Sequence, residues 1–216
     1  MERVIFLDRD GTINEEVNYL HRKEDLRILD GVPEAIRLWK AQGYKIVVVT
    51  NQAGVARGYY QESDVRALHA YMNELLRGQG AEVDHFFYCP HHPEHGIGKY
   101  KKACHCRKPE TGMLEMAEQY YEVDKAHSWM IGDTLNDMEA GRRYGVRTVL
   151  VGTGYGADQR RRAEGAAARQ EFAENAAPVS ERQSTAGKEL PYDFYAETLM
   201  DVACAILARD GFAEEG

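Results

Sequence analysis

Short apolar runs alternate with amphipathic stretches along most of this 216-residue chain. Val4 to Leu7, Tyr44 to Val49, Val83 to Tyr88, Ser128 to Ile131 and Arg147 to Val151 are too short and too continuously apolar for amphipathic helices. They read as strands covered on both faces, as in a parallel sheet. Between them, apolar positions recur at helical spacing. One helix, opening at Asp30-Gly31-Val32-Pro33 and running through Lys40, gathers Ala35, Ile36, Leu38 and Trp39 on one side, with Pro33 suited to its first turn. A second, from about Glu62 to Arg77, carries the stripe Val65, Leu68, Tyr71, Met72, Leu75 and Leu76. Further helices are predicted over 111–121 and 135–144. Such alternation implies βαβ units, and right-handed crossovers put the helices on both faces. The expected fold is α/β, a Rossmann-like parallel sheet.

The rhythm breaks after Gly154. From there to about residue 190 the chain is rich in Ala, Arg, Glu and Gln. Residues 157–175 suit a helix by propensity, and Pro178 to Lys188 reads as a loop or disordered segment. Tyr192 to Tyr195 then resembles a short edge strand and 197–208 a closing helix. No internal repeat is found. The length suits one domain with a core of useful size, so residues 1–216 are read as a single domain with an insertion at about 154–190.

Composition narrows the function classes. A net charge of −8 argues against a non-specific nucleic-acid binder. No apolar run approaches the roughly 20 residues a bilayer requires, and the N-terminus lacks a secretory pattern. A cytoplasmic monomer without nucleic-acid or membrane partners is expected. Of four cysteines, Cys89, Cys104 and Cys106 share one histidine-rich stretch, which points to metal rather than disulfides. Cys204 is expected as a small buried apolar residue.

Polar motifs stand where apolar runs end, and open parallel sheets bind ligands outside the carboxyl ends of their strands. Asp8-Arg9-Asp10-Gly11-Thr12 follows the first run, Thr50-Asn51 the second, and Gly132-Asp133 the fourth. Arg107-Lys108-Pro109 closes the cysteine-rich loop. Two carboxylates two residues apart, a hydroxyl, a lysine and a third carboxylate suit magnesium-dependent phosphoryl transfer through an aspartyl-phosphate. In that chemistry Asp8 attacks phosphorus, while Asp10 protonates the leaving alkoxide and then deprotonates water. Mg²⁺ lies between Asp8 and a phosphate oxygen, with Asp133 as a further ligand. Thr50 and Asn51 contact the phosphoryl group, Lys108 supplies compact positive charge, and Arg107 offers a planar fork for a second anion. Asp137 either orients Lys108 or a metal-bound water, or is an acid favoured at a helix N-terminus. The loop Cys89-Pro90-His91-His92-Pro93 … Cys104-His105-Cys106 has the character of a closed structural zinc site, with Cys89, His91, Cys104 and Cys106 as chosen ligands. Spacing alone leaves His92, His95 or His105 as substitutes.

These motifs resemble the haloacid dehalogenase superfamily and, within it, the D,D-heptose 1,7-bisphosphate phosphatase family. The resemblance covers about residues 3–153 and rests on Phe6-Leu7-Asp8-Arg9-Asp10-Gly11-Thr12-Ile13-Asn14, Val49-Thr50-Asn51-Gln52, Gly54-Val55-Ala56-Arg57-Gly58 and the cysteine loop joined to Arg107-Lys108-Pro109. It implies that Mg²⁺ is held by the side chains of Asp8 and Asp133 and the backbone carbonyl of Asp10, and Zn²⁺ by the four chosen ligands. Thr50 and Lys108 would steady the phosphoryl group and Arg107 would recognise the substrate. Glu16, Val17, Asn18 and Tyr19, together with Thr50, Asn51, Gln52 and Ala53, would line the sugar site. The implied reaction removes the C7 phosphate of D-glycero-D-manno-heptose 1,7-bisphosphate, leaving the 1-phosphate for nucleotide-activated heptose and lipopolysaccharide or surface-glycan synthesis. The chain departs from the family at Thr134, a substrate contact where relatives often carry lysine, and in the 154–190 insertion. No stretch is long enough for a large cap domain. Histidinol-phosphate or other sugar-phosphate hydrolysis is the neighbouring enzymatic alternative, and a zinc-stabilised, non-catalytic interaction protein the remote one.

Overall fold

The computed structural model describes residues 1–176 and 190–211. Strands β1 (Val4–Leu7), β2 (Lys45–Asn51), β3 (His85–Cys89), β4 (Trp129–Gly132), β5 (Arg147–Val151) and β6 (Phe194–Ala196) form one sheet in the order β3-β2-β1-β4-β5-β6. Every neighbouring pair is parallel. The chain builds outward from β1 to β3, then crosses back to β4 on the other side of β1. That reversal opens a crevice at the carboxyl ends of β1 and β4.

Strand alternation sorts the core. Ile5, Leu7, Ile46, Val48, Trp129, Ile131, Val149 and Val151 face α1 (Val32–Ala41), α3 (Glu62–Arg77) and α7 (Leu199–Arg209). Val4, Phe6, Val47, Val49 and Met130 face α4 (Gly112–Glu115) and α5 (Leu135–Tyr144) through Met113, Leu114, Ala140 and Tyr144. Burying one such side chain is worth about 1.5–3 kcal/mol. A one-residue slip would exchange the two faces of a strand, so this two-sided packing fixes the register. Helix α6 (Gly156–Ala176), where a helix was expected, packs through Ala163 against Met138, Leu150 and Tyr192.

Several boundaries differ from expectation for local reasons. Strand β2 continues through Thr50 and Asn51 because they pair with Tyr88 and Cys89. Strand β3 starts at His85 rather than Val83: the backbone of Val83 donates to Asn73 Oδ1 (2.9 Å) and accepts from its Nδ2 (3.0 Å), so it is spent on α3. The helix expected over 111–121 is one α-turn, α4, followed by a 3₁₀ turn at Met116–Gln119. The last helix begins at Leu199, where Thr198 and Asp201 form a reciprocal cap. Cys204 is exposed, contrary to the reading above. The buried stripe of α7 is Leu199, Val202, Ala203, Ile206 and Leu207, and position 204 lies off it. The loop expected at 178–188 lies outside the described residues. Residues 8–31 stay a loop with a single 3₁₀ turn at Lys23–Asp25, and among the described residues no large cap covers the crevice. Among the described residues no helix is long and apolar enough to cross a membrane.

Candidate active site

The backbone NH of Asp8 donates to Ile131 O (2.9 Å), so the residue after β1 is held against β4. Its Oδ1 lies 2.8 Å from Lys108 Nζ, which is also 2.5 Å from Asp137 Oδ1. Asn51 pins this lysine from β2: its Nδ2 donates to Lys108 O (3.0 Å) and its Oδ1 accepts from Lys108 NH (3.1 Å). Asp133 follows β4, and its Oδ2 accepts from Tyr155 NH (2.8 Å). Gly11 and Gly154 close over that carboxylate at φ +78° and +56°, and a Cβ on either would sit 2.2 Å from Asp133 Oδ2. Both positions therefore exclude any side chain. Asp8, Asp133 and Asp137 each offer an oxygen, all within 4.8 Å of one another, which makes them a group able to hold a cation.

Burial pushes the Asp8 carboxyl up to about 7, against the pull of Lys108, with Asp137 and Asp10 adding repulsion. Burial likewise pushes Asp133 up to about 8, reinforced by Asp8 and Asp137. For Lys108, burial favours the neutral amine, but Asp137 and Asp8 outweigh it and hold the ammonium above the usual lysine range. The consequence for stability has a definite sign. Raised carboxyl values cost folding free energy as pH climbs from the ordinary value of 3.8 through about 8. A bound divalent cation removes that cost. Mg²⁺ should therefore raise the melting temperature by about 3 °C or more beyond its effect at pH 5 when measured at pH 8. Equal shifts at both pH values would mean that the cation binds elsewhere.

Asp10 is engaged differently. Its Oδ1 accepts from Arg9 Nε (3.1 Å), Arg9 Nη2 (2.9 Å) and Asn14 Nδ2 (3.0 Å), and its Oδ2 from Arg9 Nη2 (2.8 Å) and Gln52 Nε2 (3.1 Å). Gln52 is 2% exposed and also donates to Thr50 Oγ1 (2.8 Å), while Tyr60 OH donates to Gln52 Oε1 (2.8 Å). Gln52 thus lies beneath Asp10 rather than on the open wall.

A cleft of about 150 Å³ brings together Asp8, Asp10, Glu16, Thr50, Asn51, Lys108, Asp133, Thr134 and Asp137, with Asn136 and Tyr155 completing its lining. Burial raises the Glu16 carboxyl, and its Oε1 accepts from Asn18 NH (2.6 Å). Val17, Asn18 and Tyr19 line a neighbouring cavity instead, with Asn18 and Tyr19 at positive φ (54° and 58°). Ala53 opens the short helix α2 (Ala53–Ala56). Thr134 caps α5: its NH and Oγ1 both donate to Asp137 Oδ2 (3.0 and 2.6 Å). Asp137 therefore fills both roles weighed for it, partner of Lys108 and acid of the helix cap.

Cys89, His91, Cys104 and Cys106 come together with donor atoms within 4.8 Å of one another. His91 Nδ1 is 3.7 Å from the sulfurs of both Cys89 and Cys106. None of the histidines His92, His95 and His105 joins that group, and two of them have partners of their own. His105 Nε2 pairs with Glu115 Oε2 (2.8 Å), and His92 Nδ1 accepts from the NH groups of Glu94 and His95. Arg107, next to Cys106, donates from Nη1 to His91 O (3.2 Å). The cluster thus sits directly before Lys108 of the cleft.

Sequence reasoning assigned no role to Arg9, Asn14, His69 or Tyr155. His69 occupies the buried stripe of α3 between Val65 and Met72, and a polar residue at such a position is the signal that could have found it.

A HAD-hydrolase-like family model matches residues 105–177. The D-glycero-beta-D-manno-heptose-1,7-bisphosphate 7-phosphatase of Vibrio cholerae is 45% identical over 151 residues, 69% of this chain and 81% of the relative. The chain belongs to the D,D-heptose 1,7-bisphosphate phosphatase family. Another family member, from Haemophilus influenzae, is 44% identical over 155 residues, 71% of this chain and 84% of its own. The crystal structure of the B. bronchiseptica family member, complexed with magnesium and phosphate, superposes with a TM-score of 0.70 at 30% identity, covering 96% of this chain and 99% of the other. Membership therefore extends to the whole haloacid dehalogenase-like sheet, beyond the segment that the family model matches.

Proposed function

We propose that this chain is a magnesium-dependent phosphatase that removes the C7 phosphate of D-glycero-D-manno-heptose 1,7-bisphosphate, leaving heptose 1-phosphate. The observation that carries the reading is Asp8 at the end of β1, 2.8 Å from a buried lysine and grouped with Asp133 at the crevice. It is supported by the 45% identity to a relative named for that activity. In this reading an Asp8 oxygen bonds to phosphorus as the bond from phosphorus to the sugar oxygen breaks, and Asp10 gives that oxygen a proton. Asp10 then takes a proton from the water that hydrolyses the aspartyl-phosphate, releasing phosphate and restoring Asp8. Lys108 and Thr50 hold the phosphoryl oxygens.

Mg²⁺ fits the acidic group, and would be held by Asp8, Asp133 and the backbone carbonyl of Asp10. When bound it neutralises charge on the phosphoryl group and on Asp8. Asp137 keeps Lys108 in place. Glu16 to Tyr19, Asn51 to Ala53, Arg107 and Thr134 are assigned to the sugar and its second phosphate, with Gln52 acting from beneath. Three thiols and an imidazole suit structural Zn²⁺, because a tetrahedron with bonds of about 2.3 Å has edges of about 3.8 Å, inside the observed spread. We read the enzyme as a single-domain monomer, since a single six-stranded sheet carries both core faces and the cleft at its carboxyl edge.

The reading is tested by kcat/KM with Mg²⁺ for the α and β heptose 1,7-bisphosphates, histidinol phosphate and fructose 1,6-bisphosphate. One heptose bisphosphate anomer should exceed histidinol phosphate by at least about a hundredfold, the scale on which buried polar contacts discriminate. A preference for histidinol phosphate would overturn the substrate assignment and leave the phosphatase chemistry standing.

A further inference from the structure

Behind the cleft lies a polar group that the reaction described above does not use. Arg9 is 0% exposed, yet it carries a guanidinium with five N–H donors that burial obliges to find acceptors. Its Nε and Nη2 grip Asp10, and Nη2 also donates to Leu20 O (3.2 Å) and Gln52 Oε1 (3.4 Å). The other arm of the fork, Nη1, meets Nε2 of His69 at 3.3 Å. An arginine has nothing to accept with, so Nε2 must present its lone pair and the imidazole must be neutral with its proton on Nδ1. Burial and the neighbouring guanidinium both favour that neutral form. The ring itself is fixed: it stacks on Phe86 (centroids 4.8 Å apart, planes 23°) and meets Tyr88 edge-on at 5.9 Å.

We propose that His69 and Arg9 are positioning residues for Asp10: the buried imidazole anchors the guanidinium, which sets the angle at which the Asp10 carboxyl meets the leaving sugar oxygen. The planar fork makes this a directional constraint. A guanidinium that bridges both oxygens of a carboxylate fixes the carboxylate plane as well as its place. Rotation of the fork would carry Asp10 with it, and among the described residues only His69 holds the arm turned away from Asp10. The constraint reaches the cleft from edge strand β3 through α3, neither of which contributes a side chain to the cleft lining. It rests on the reading of Asp10 as the acid and base of the proposed phosphatase.

A displaced general acid matters only when the leaving oxygen needs a proton. The value of kcat/KM reports steps up to phosphoryl transfer onto Asp8, and p-nitrophenolate departs without protonation whereas a sugar alkoxide does not. His69→Phe should therefore lower kcat/KM for heptose 1,7-bisphosphate by about tenfold to a hundredfold, part of the usual contribution of a general acid. For p-nitrophenyl phosphate the fall should stay within about threefold, a loss too small for a missing general acid. His69→Gln, whose carbonyl oxygen can stand where Nε2 stood, should recover most of the loss, and the shorter His69→Asn should not. If His69→Phe fails to fold, the Gln and Asn pair carries the comparison alone. Equal losses on both substrates, or Asn equal to Gln, would overturn the positioning pair. Asp10→Asn separates the two levels. A loss selective for the sugar substrate upholds Asp10 as the acid whatever the His69 variants do, whereas an unselective loss removes that assignment and the positioning pair with it.

Discussion

Replacing Asp8 by asparagine should lower kcat at least about a thousandfold, the scale of a missing catalytic nucleophile. The substitution is nearly isosteric, and an amide oxygen can still accept a hydrogen bond from Lys108, so the cleft should keep its shape. What it loses is an oxygen able to bond to phosphorus. The expected stability effect has the opposite sign. Burial pushes the Asp8 carboxyl up to about 7, so above that pH the metal-free fold holds an ionised group at a cost, which a neutral amide avoids. The variant should therefore melt no lower than the parent at pH 8 while hydrolysing almost nothing. Phosphate release under single-turnover conditions checks the first part, and a thermal melt the second. Turnover within tenfold of the parent would remove Asp8 as nucleophile.

Cys104→Ser should have the largest effect on stability. Apparent binding energies of structural zinc in small peptides are about 10–16 kcal/mol at neutral pH, and a missing thiolate forfeits a substantial part of such a value. The loop has little else to hold it, since beyond the cluster its residues are largely half-buried or exposed. Arg107 and Lys108 follow directly on Cys106, and Arg107 reaches back to His91 O. Loosening the loop should thus move the active-site lysine, and activity should fall about tenfold or more, as misplacement of a catalytic group by an ångström can cost a hundredfold. Elemental analysis of purified protein should find about one zinc per chain in the parent and much less in the variant. Full zinc content with unchanged melting would refute the four-ligand assignment.

The fold was legible because the strands of a parallel sheet announce themselves as short, nearly continuous apolar runs, and five of the six strands and the two-sided core follow from that pattern, the sixth being read as a short edge strand. Boundaries were less legible where a side chain captures backbone groups, as Asn73 does at Val83. That Asp8 and Asp133 reach the crevice was readable from their positions just after strands, and Lys108, closing the cysteine-rich loop, joins them in the same cleft. What lies behind them was not. Gln52 could be placed near the cleft by its motif, but sequence does not tell which way a glutamine points, and it points into the Asp10 network. Arg9 hides between two aspartates, where a surface charge is the ordinary reading, and only the packing of α3 and β3 reveals its total burial. Residues 157–175 were readable as a helix, yet the contact of Gly154 and Tyr155, just before it, with the site depends on tertiary closure.

The most direct measurement is rapid-quench mass spectrometry of the enzyme turning over heptose 1,7-bisphosphate with Mg²⁺. In acid-quenched samples the peptide carrying Asp8 should gain the mass of one phosphoryl group within the first turnover and lose it as phosphate appears. A phosphoryl group on any other residue, or phosphate released with the Asp8 peptide never modified, would contradict nucleophilic attack by this carboxylate.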